Sequence, residues 1–380
     1  MNRIISFFKR ETILCIAFIL AVISSFLVPA DREYINYIDF RVLVLLFSLM
    51  SVMSGLQTLG VFEKLSYALL KYVKSTRGLT ILLISLCFFC SMFITNDVAL
   101  ITFVPFTLLI FEKIDNTKIV IPLIVLETIA ANLGSMMTPI GNPQNLYLYG
   151  LSGFGLGEFL LYMAPVAGLS FLLLMVFAML QKREKITILE TTGKTAKKRP
   201  VLTGYYFFLF ALCLMAVAYL IPYPLLLVAS VPVLWIFDRG TLKKVDYCLL
   251  LTFVSFFIFI GNIQRIPVVA TWISNMVTGR ELIVSFLCSQ VISNVPAAIL
   301  LSGFTGQYGQ LLLGVNIGGL GTLIASLASL ISFKYFSKYV SEKPKNSGIT
   351  KGKYMCCFTG MNLLFAAVLL LFAVCSGYYN

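Results

Sequence analysis

Residues 132–145 read Asn132-Leu133-Gly134-Ser135-Met136-Met137-Thr138-Pro139-Ile140-Gly141-Asn142-Pro143-Gln144-Asn145, in the middle of an apolar run that extends from 119 to 150. Pro139 and Pro143 hold a break open there, and Gly134 and Gly141 let backbone come close to an ion or to an opposing segment. Hydrocarbon offers no water to freed backbone groups, so a broken helix persists in it only where it lines a cavity in the protein. Upstream lies a second polar motif in apolar sequence, Thr95-Asn96-Asp97. The pair then returns: Ser293-Asn294-Val295-Pro296 is followed by Asn316-Ile317-Gly318-Gly319-Leu320-Gly321-Thr322. Asn294 follows Asn96 by 198 residues and Asn316 follows Asn132 by 184, so the second copy is the more compact. Two such breaks at corresponding places in two halves point to the binding site of a secondary transporter.

Composition excludes the other broad classes. With 59% hydrophobic and 12% charged residues, the chain has too little polar surface for a soluble globule. The formal net charge of +13 does not mark a nucleic-acid binder, because the Lys and Arg lie in loops between apolar runs. Nine scattered cysteines form no disulfide framework, and the C-x-x-C of Cys87 and Cys90 has neither a second pair nor a His to complete a metal site. The run after Lys9 and Arg10 is too long for a signal-peptide core and reads as a retained helix.

The apolar runs predict an all-α polytopic membrane protein with crossings at 12–30, 40–60, 119–150 (broken), 159–180, 203–220, 223–237, 245–262, 308–333 (broken) and 354–377. Two further stretches, 79–111 and 281–304, carry Asn at their centres and read as re-entrant hairpins. The arm from Leu79 to Ile94 would be about 24 Å long, enough to carry Asn96 near the middle of the hydrocarbon. With the N-terminus in the cytoplasm and the C-terminus outside, all but four of the 29 Lys and Arg fall on the cytoplasmic side. The exceptions are Arg32, Arg41, Arg265 and Arg280. Treating either hairpin as a full crossing would destroy that segregation.

The result is an inverted-topology repeat: a first repeat at 1–181, a basic cytoplasmic loop at 182–200, a linker helix at 201–222, and a second repeat at 223–380. Hairpin 79–111 opens to the cytoplasm and hairpin 281–304 to the outside. Glu63–Arg77 and its counterpart Pro267–Arg280 read as interfacial helices.

Half-helix N-termini carry positive dipole ends, and unwound carbonyls attract cations. The substrate and ion candidates are therefore Thr95, Asn96, Asp97, Asn132, Gly134, Thr138, Pro139, Gly141, Asn142 and Asn145 in the first half. In the second they are Ser293, Asn294, Pro296, Asn316, Gly318, Gly319, Gly321 and Thr322, with Ser326 and Ser329 adding hydroxyls. Asp97 and Glu127 are candidate coupling carboxylates, because an intramembrane carboxylate is costly. The bland alternatives are an Asp that caps its helix and a Glu paired with a Lys or a backbone group.

Thr95-Asn96-Asp97, the run from Gly141 to Asn145, and Ser293-Asn294 with Gly318-Gly319 resemble the ion-transporter superfamily. That group holds citrate-transporter-like permeases, divalent anion/sodium symporters, arsenite permeases and some sodium/proton antiporters. The resemblance implies that Thr95-Asn96 and Ser293-Asn294 bind Na⁺ and substrate carboxylates, and that the protein is a homodimer. Asp97 and Val295 depart from the symporter pattern, which has Thr at both places; an Asp there is closer to the arsenite and antiporter branches.

The functional expectation is a secondary transporter of a small carboxylate or inorganic anion in a bacterial-type inner membrane, coupled to Na⁺ or H⁺. An arsenite-type efflux permease or a Na⁺/H⁺ antiporter is the alternative. No cofactor is expected beyond Na⁺ as coupling ion, and the bilayer and the solute are the expected partners. An intramembrane protease reading of Gly150-Leu151-Ser152-Gly153 lacks a His base, and a passive channel would need a continuous polar lining.

Overall fold

The computed structural model describes residues 11–70, 73–113, 119–185, 199–342 and 349–376. The first ten residues, Lys118, most of the Lys-rich 182–199 connector and the middle of 338–353 lie outside the described residues, so the charges assigned to them there are not placed. In chain order the first half contains α1 (Thr12–Leu27), α2 (Glu33–Tyr37), α3 (Phe40–Thr58), α4 (Val61–Leu70), α5 (Thr76–Ile94), α6 (Asn96–Lys113), α7 (Val120–Ser135), α8 (Pro143–Ser152) and α9 (Leu156–Leu180). Then follow α10 (Pro200–Val217), α11 (Pro224–Phe237), α12 (Arg239–Leu242), α13 (Tyr247–Gln264), α14 (Pro267–Val277), α15 (Glu281–Ile292), α16 (Asn294–Ser302), α17 (Tyr308–Gly318), α18 (Leu327–Ser341) and α19 (Lys351–Cys375). Among the described residues, α3, α5, α9, α10, α13 and α19 are each long and apolar enough to cross a membrane.

Several boundaries differ from the sequence reading. The helix expected over Glu63–Arg77 does not run through to Arg77: Val73 and Lys74 are not helical, and Thr76 and Arg77 belong to the next helix. Ser75 caps that helix by accepting from the Gly78 amide at 3.2 Å, while Thr76 N and Arg77 Nε donate to the carbonyls of Glu184 and Gln181. The cap and these tertiary bonds outweigh amphipathic continuity. At the other end of the chain, α18 runs on to Ser341 rather than stopping at 333, since nothing between Ser326 and Ser341 breaks a helix.

The core is organised around the two polar motifs. α5 and α6 meet at Thr95 and fold against each other, as α15 and α16 do at Ser293. Thr95 (φ 69°, ψ 152°) and Ser293 (φ 75°, ψ 157°) adopt the same left-handed conformation, which costs a side-chain-bearing residue of order 1–3 kcal/mol. The first arm of each hairpin packs on the helix that leads into a break, α5 on α7 and α15 on α17. This close approach requires glycine. A Cβ at Gly134 would stand 2.1 Å from the Phe88 carbonyl oxygen, and one at Gly318 would stand 2.7 Å from Ser289.

After each break the chain crosses to the other half. α8 packs on α16 and α17, while α18 packs on α6 and α7. Helix ends assigned to one face also meet each other. The Lys244 Nζ donates to Thr58 Oγ1 at 2.8 Å, and Arg41 donates to the Ala216 and Val217 carbonyls at the opposite end of α3.

Candidate functional site

Each hairpin tip is tied to the break of its own half by one backbone bond. The Asn96 amide donates to the Gly141 carbonyl at 3.1 Å, and the Asn294 amide donates to the Ala325 carbonyl at 3.0 Å. Those acceptors immediately precede Asn142 and Ser326, which occupy the N-cap positions of α8 and α18; only Asn142 caps with its side chain. In each half, therefore, a hairpin N-terminus lies beside the N-terminus of the helix after the break. The tip asparagines also serve their own helices. Asn96 Oδ1 accepts from the Asp97 amide at 3.0 Å, and Asn294 Oδ1 accepts from the Val295 amide at 2.9 Å.

A web of amides joins the two halves. Asn96 Nδ2 donates to Asn132 Oδ1 at 3.1 Å, and Ser326 Oγ donates to the same oxygen at 3.0 Å. Asn142 Nδ2 donates to Asn316 Oδ1 at 3.1 Å, and Asn316 Nδ2 donates to Asn145 Oδ1 at 2.6 Å. Ser326 follows Asn142 by the same 184 residues that separate Asn316 from Asn132. The Ser326–Asn132 and Asn142–Asn316 bonds are therefore one contact made twice, each across the halves. Asn96, Asn132, Asn142, Asn294 and Asn316 are all at most 5% exposed. Unpaired amides at that depth would be costly; the bonds among Asn96, Asn132, Asn142, Asn145 and Asn316 keep the web intact, while the Asn294 side chain bonds within its own tip.

The other candidates divide into those inside this web and those that shape it. Thr138 donates through Oγ1 to the Met92 carbonyl, and Thr322 donates to the equivalent Gln290 carbonyl at 2.9 Å, so both pin a break to a hairpin arm. Thr322 is exposed at the rim and does not face the asparagines. Pro139 is buried within the break. Pro143 begins a helix rather than propping the break open, and Pro296 lies in the first turn of α16; at both positions no amide donor is needed. Gly319 packs against the second tip: a Cβ there would stand 3.3 Å from Asn294 Nδ2.

Asp97 sits in the first turn of α6, and its Oδ1 is buried without a hydrogen-bond partner. Glu127 is fully buried, and it pairs with neither a Lys nor a backbone group. Thr107 Oγ1 on α6 donates to its Oε1, while its Oε2 has no partner. Ser329 Oγ is likewise buried and unpartnered. Sequence reasoning missed Thr107, Ser135 and Gln290. Gln290 was the most accessible of these, as the one amide side chain in its arm, at the place that corresponds to Met92.

Among the described residues, the buried charged side chains are Glu127 and Glu281, with no Lys or Arg. Around the web, helix N-termini and amides are therefore the polar groups available, with no buried cationic side chain among the described residues. A separate cavity of about 800 Å³ lies at the open end of the second hairpin, lined by Gln264, Ser274, Asn275, Glu281, Ser302 and Thr305. Tyr147 Oη lies 2.8 Å from Ser302 Oγ, which links α8 to that end of the hairpin.

The sequence profile of the citrate transporter family matches residues 3–307, which include both hairpins and the first break. The chain belongs to the citrate transporter family. An uncharacterized transporter of Methanocaldococcus jannaschii is 35% identical over 304 residues, covering 80% of this chain and 82% of its own length. The inner membrane protein YbiR of Escherichia coli is 32% identical over 315 residues, 82% of this chain and 84% of that protein. A silicon efflux transporter of Oryza sativa is 33% identical over 158 residues, 41% of this chain and 32% of its own. The family and two of these three relatives carry the name transporter, and the chain is a transporter rather than an enzyme. With its apolar helices, this citrate transporter family member is an integral, multi-pass membrane protein.

Proposed function

We propose that the protein is a secondary active transporter that moves a small anion, carboxylate or inorganic, across the cytoplasmic membrane by alternating access with Na⁺ or H⁺ coupling. One observation carries this reading: in each half, two half-helix N-termini are bonded side by side, and a buried amide web connects the pairs. Helix N-termini attract anions through free N–H groups and their dipole, with no cationic side chain required. Asparagine amides add both donors and acceptors for oxygens of a bound anion. The recurrence of each contact supports two repeats, 1–181 and 223–380, of inverted topology, with re-entrant hairpins at 79–111 and 281–304. The web is sealed, so passage of a solute requires the tips to part from the breaks on one face at a time.

Direction is a second question. Uptake of an anion against a potential of ~100 mV costs about 2.3 kcal/mol per charge, which coupled cations must offset, whereas export is driven by the potential. Likeness to the silicon efflux transporter favours the export reading over part of the chain.

The test is solute flux in proteoliposomes loaded with citrate, smaller dicarboxylates, arsenite or silicic acid. The wild-type protein should move one of these, and Asn96→Ala and Asn294→Ala should each lower the rate at least tenfold while still inserting as monodisperse protein. Wild-type rates in both well-folded variants would remove the paired tips as the site.

A further inference from the structure

Sodium coupling at such a site needs convergent backbone oxygens, and here those oxygens are held by side chains. Asn145 Nδ2 donates to the carbonyls of Met136 and Thr138, each at 3.0 Å, and of Ser135 at 3.3 Å. Gln290 Nε2 donates to the carbonyls of Gly318 and Leu320, each at 2.9 Å, and of Phe286 at 3.3 Å. Leu320 follows Met136 by 184 residues, so the same carbonyl in each half ends on an amide NH₂.

We propose that these amides stand in place of a sodium ion at both breaks, with Gln290 as the residue that closes the second, and that the transport cycle uses no sodium at either. The inference rests on the transporter reading above and narrows its coupling ion.

An NH₂ group and a cation exclude each other at one set of carbonyls. Sodium would meet the amide hydrogens, and displacing the amide would strand a buried donor. The local backbone is built around Gln290. Its Oε1 accepts from the Thr322 amide at 3.0 Å, and its own carbonyl accepts from Thr322 Oγ1 at 2.9 Å. Gly321 has φ +115°, and a Cβ there would lie 2.2 Å from Gln290 Oε1, so only glycine admits the glutamine.

The two closures are not copies of one another. The counterpart of Gln290 is Met92, and the counterpart of Asn145 is Ser329, whose hydroxyl makes no bond. Each half reaches the same outcome from a different position, which sets this apart from a shared packing motif. Replacing Gln290 therefore frees the second set of carbonyls and leaves the first closed by Asn145.

The experiment reads sodium binding on the purified full chain, with no solute present. Binding of radioactive Na⁺ is measured by scintillation proximity, and the unfolding midpoint is followed as NaCl replaces choline chloride at constant ionic strength. Wild-type protein should give no saturable signal and no midpoint shift beyond the choline control. Gln290→Met, which installs the residue of the other half, should gain saturable Na⁺ binding and a Na⁺-dependent midpoint. Saturable binding by the wild type overturns the proposal. A monodisperse Gln290→Met that binds no sodium overturns the role of Gln290. If that variant does not fold, Gln290→Glu, which keeps the oxygen bonded by Thr322, is read the same way. Because no solute is used, failure here is separate from failure of the flux assay.

Discussion

At the residue scale, Glu127 is the group whose environment asks most for an explanation. A fully buried carboxyl that has one hydroxyl partner and one bare oxygen is expensive unless its charge is compensated during function. Glu127→Gln keeps the acceptor for Thr107 and the shape of the side chain. That variant should fold, retain solute binding, and lose or change the dependence of flux on pH. Glu127→Ala instead strands the Thr107 hydroxyl and should destabilise the protein by about 1–3 kcal/mol. Both are checked by a flux–pH profile beside thermal unfolding in detergent. An unchanged profile in Glu127→Gln would reduce the residue to a packing role and leave Asp97, with its bare Oδ1, as the carboxylate to test. Glu127 was legible in the sequence as a charge inside an apolar run. Its partner was not, since Thr107 lies on another helix and nothing in the spacing joins them.

At the scale of elements, the helix pairs that meet at Thr95 and Ser293 were legible because Asn96 and Asn294 interrupt apolar runs at matching places. The web was half legible. Asn132 and Asn316 are evident as a pair, but Ser326 matches Asn142 only once both are seen at the position before a helix that follows a break. Gln290 was not legible, because its meaning lies in which carbonyls it reaches across a turn. The fourth helix illustrates a different limit: its amphipathic pattern continues through Arg77, but Ser75 stops it by starting a new helix.

The proposed opposition of the two hairpins makes a prediction about their bases. Lys74 is exposed just before the first hairpin, and Gly306 is exposed just after the second with nothing within 4 Å of an added Cβ. In a cysteine-free background, Lys74→Cys should react with an impermeant maleimide only from the cytoplasmic side, and Gly306→Cys only from outside. Reaction of both from one side would end the inverted repeat, whatever solute is carried.

At the scale of the whole molecule, two kinds of bond tie the chain together, one buried and one exposed. The buried kind is the amide web across the halves, which on the proposed alternating-access cycle has to rearrange. The exposed kind joins the start of the chain to α13: Arg265 Nη1 donates to Asp31 Oδ2 at 2.7 Å and to Tyr37 Oη at 3.0 Å, with Glu33 Oε2 at 3.5 Å. The bond from Arg265 holds the Asp31 carboxyl below its usual 3.8. A carboxylate lowered in the folded state contributes stability that is fully present above that ordinary value and is lost as pH falls through the folded one. Both side chains are more than a third exposed, so the contribution is small and weakened by salt. The unfolding midpoint of Arg265→Gln should therefore lie slightly below wild type at pH 6 in low salt, and the gap should close on acidification below the usual carboxylate range or on adding salt. Measuring both proteins side by side cancels the other carboxylates that titrate in the same window. A gap that persists in acid and in high salt would mean that Arg265 acts through its packing on Tyr37 rather than through charge, and that the outer clamp is mechanical.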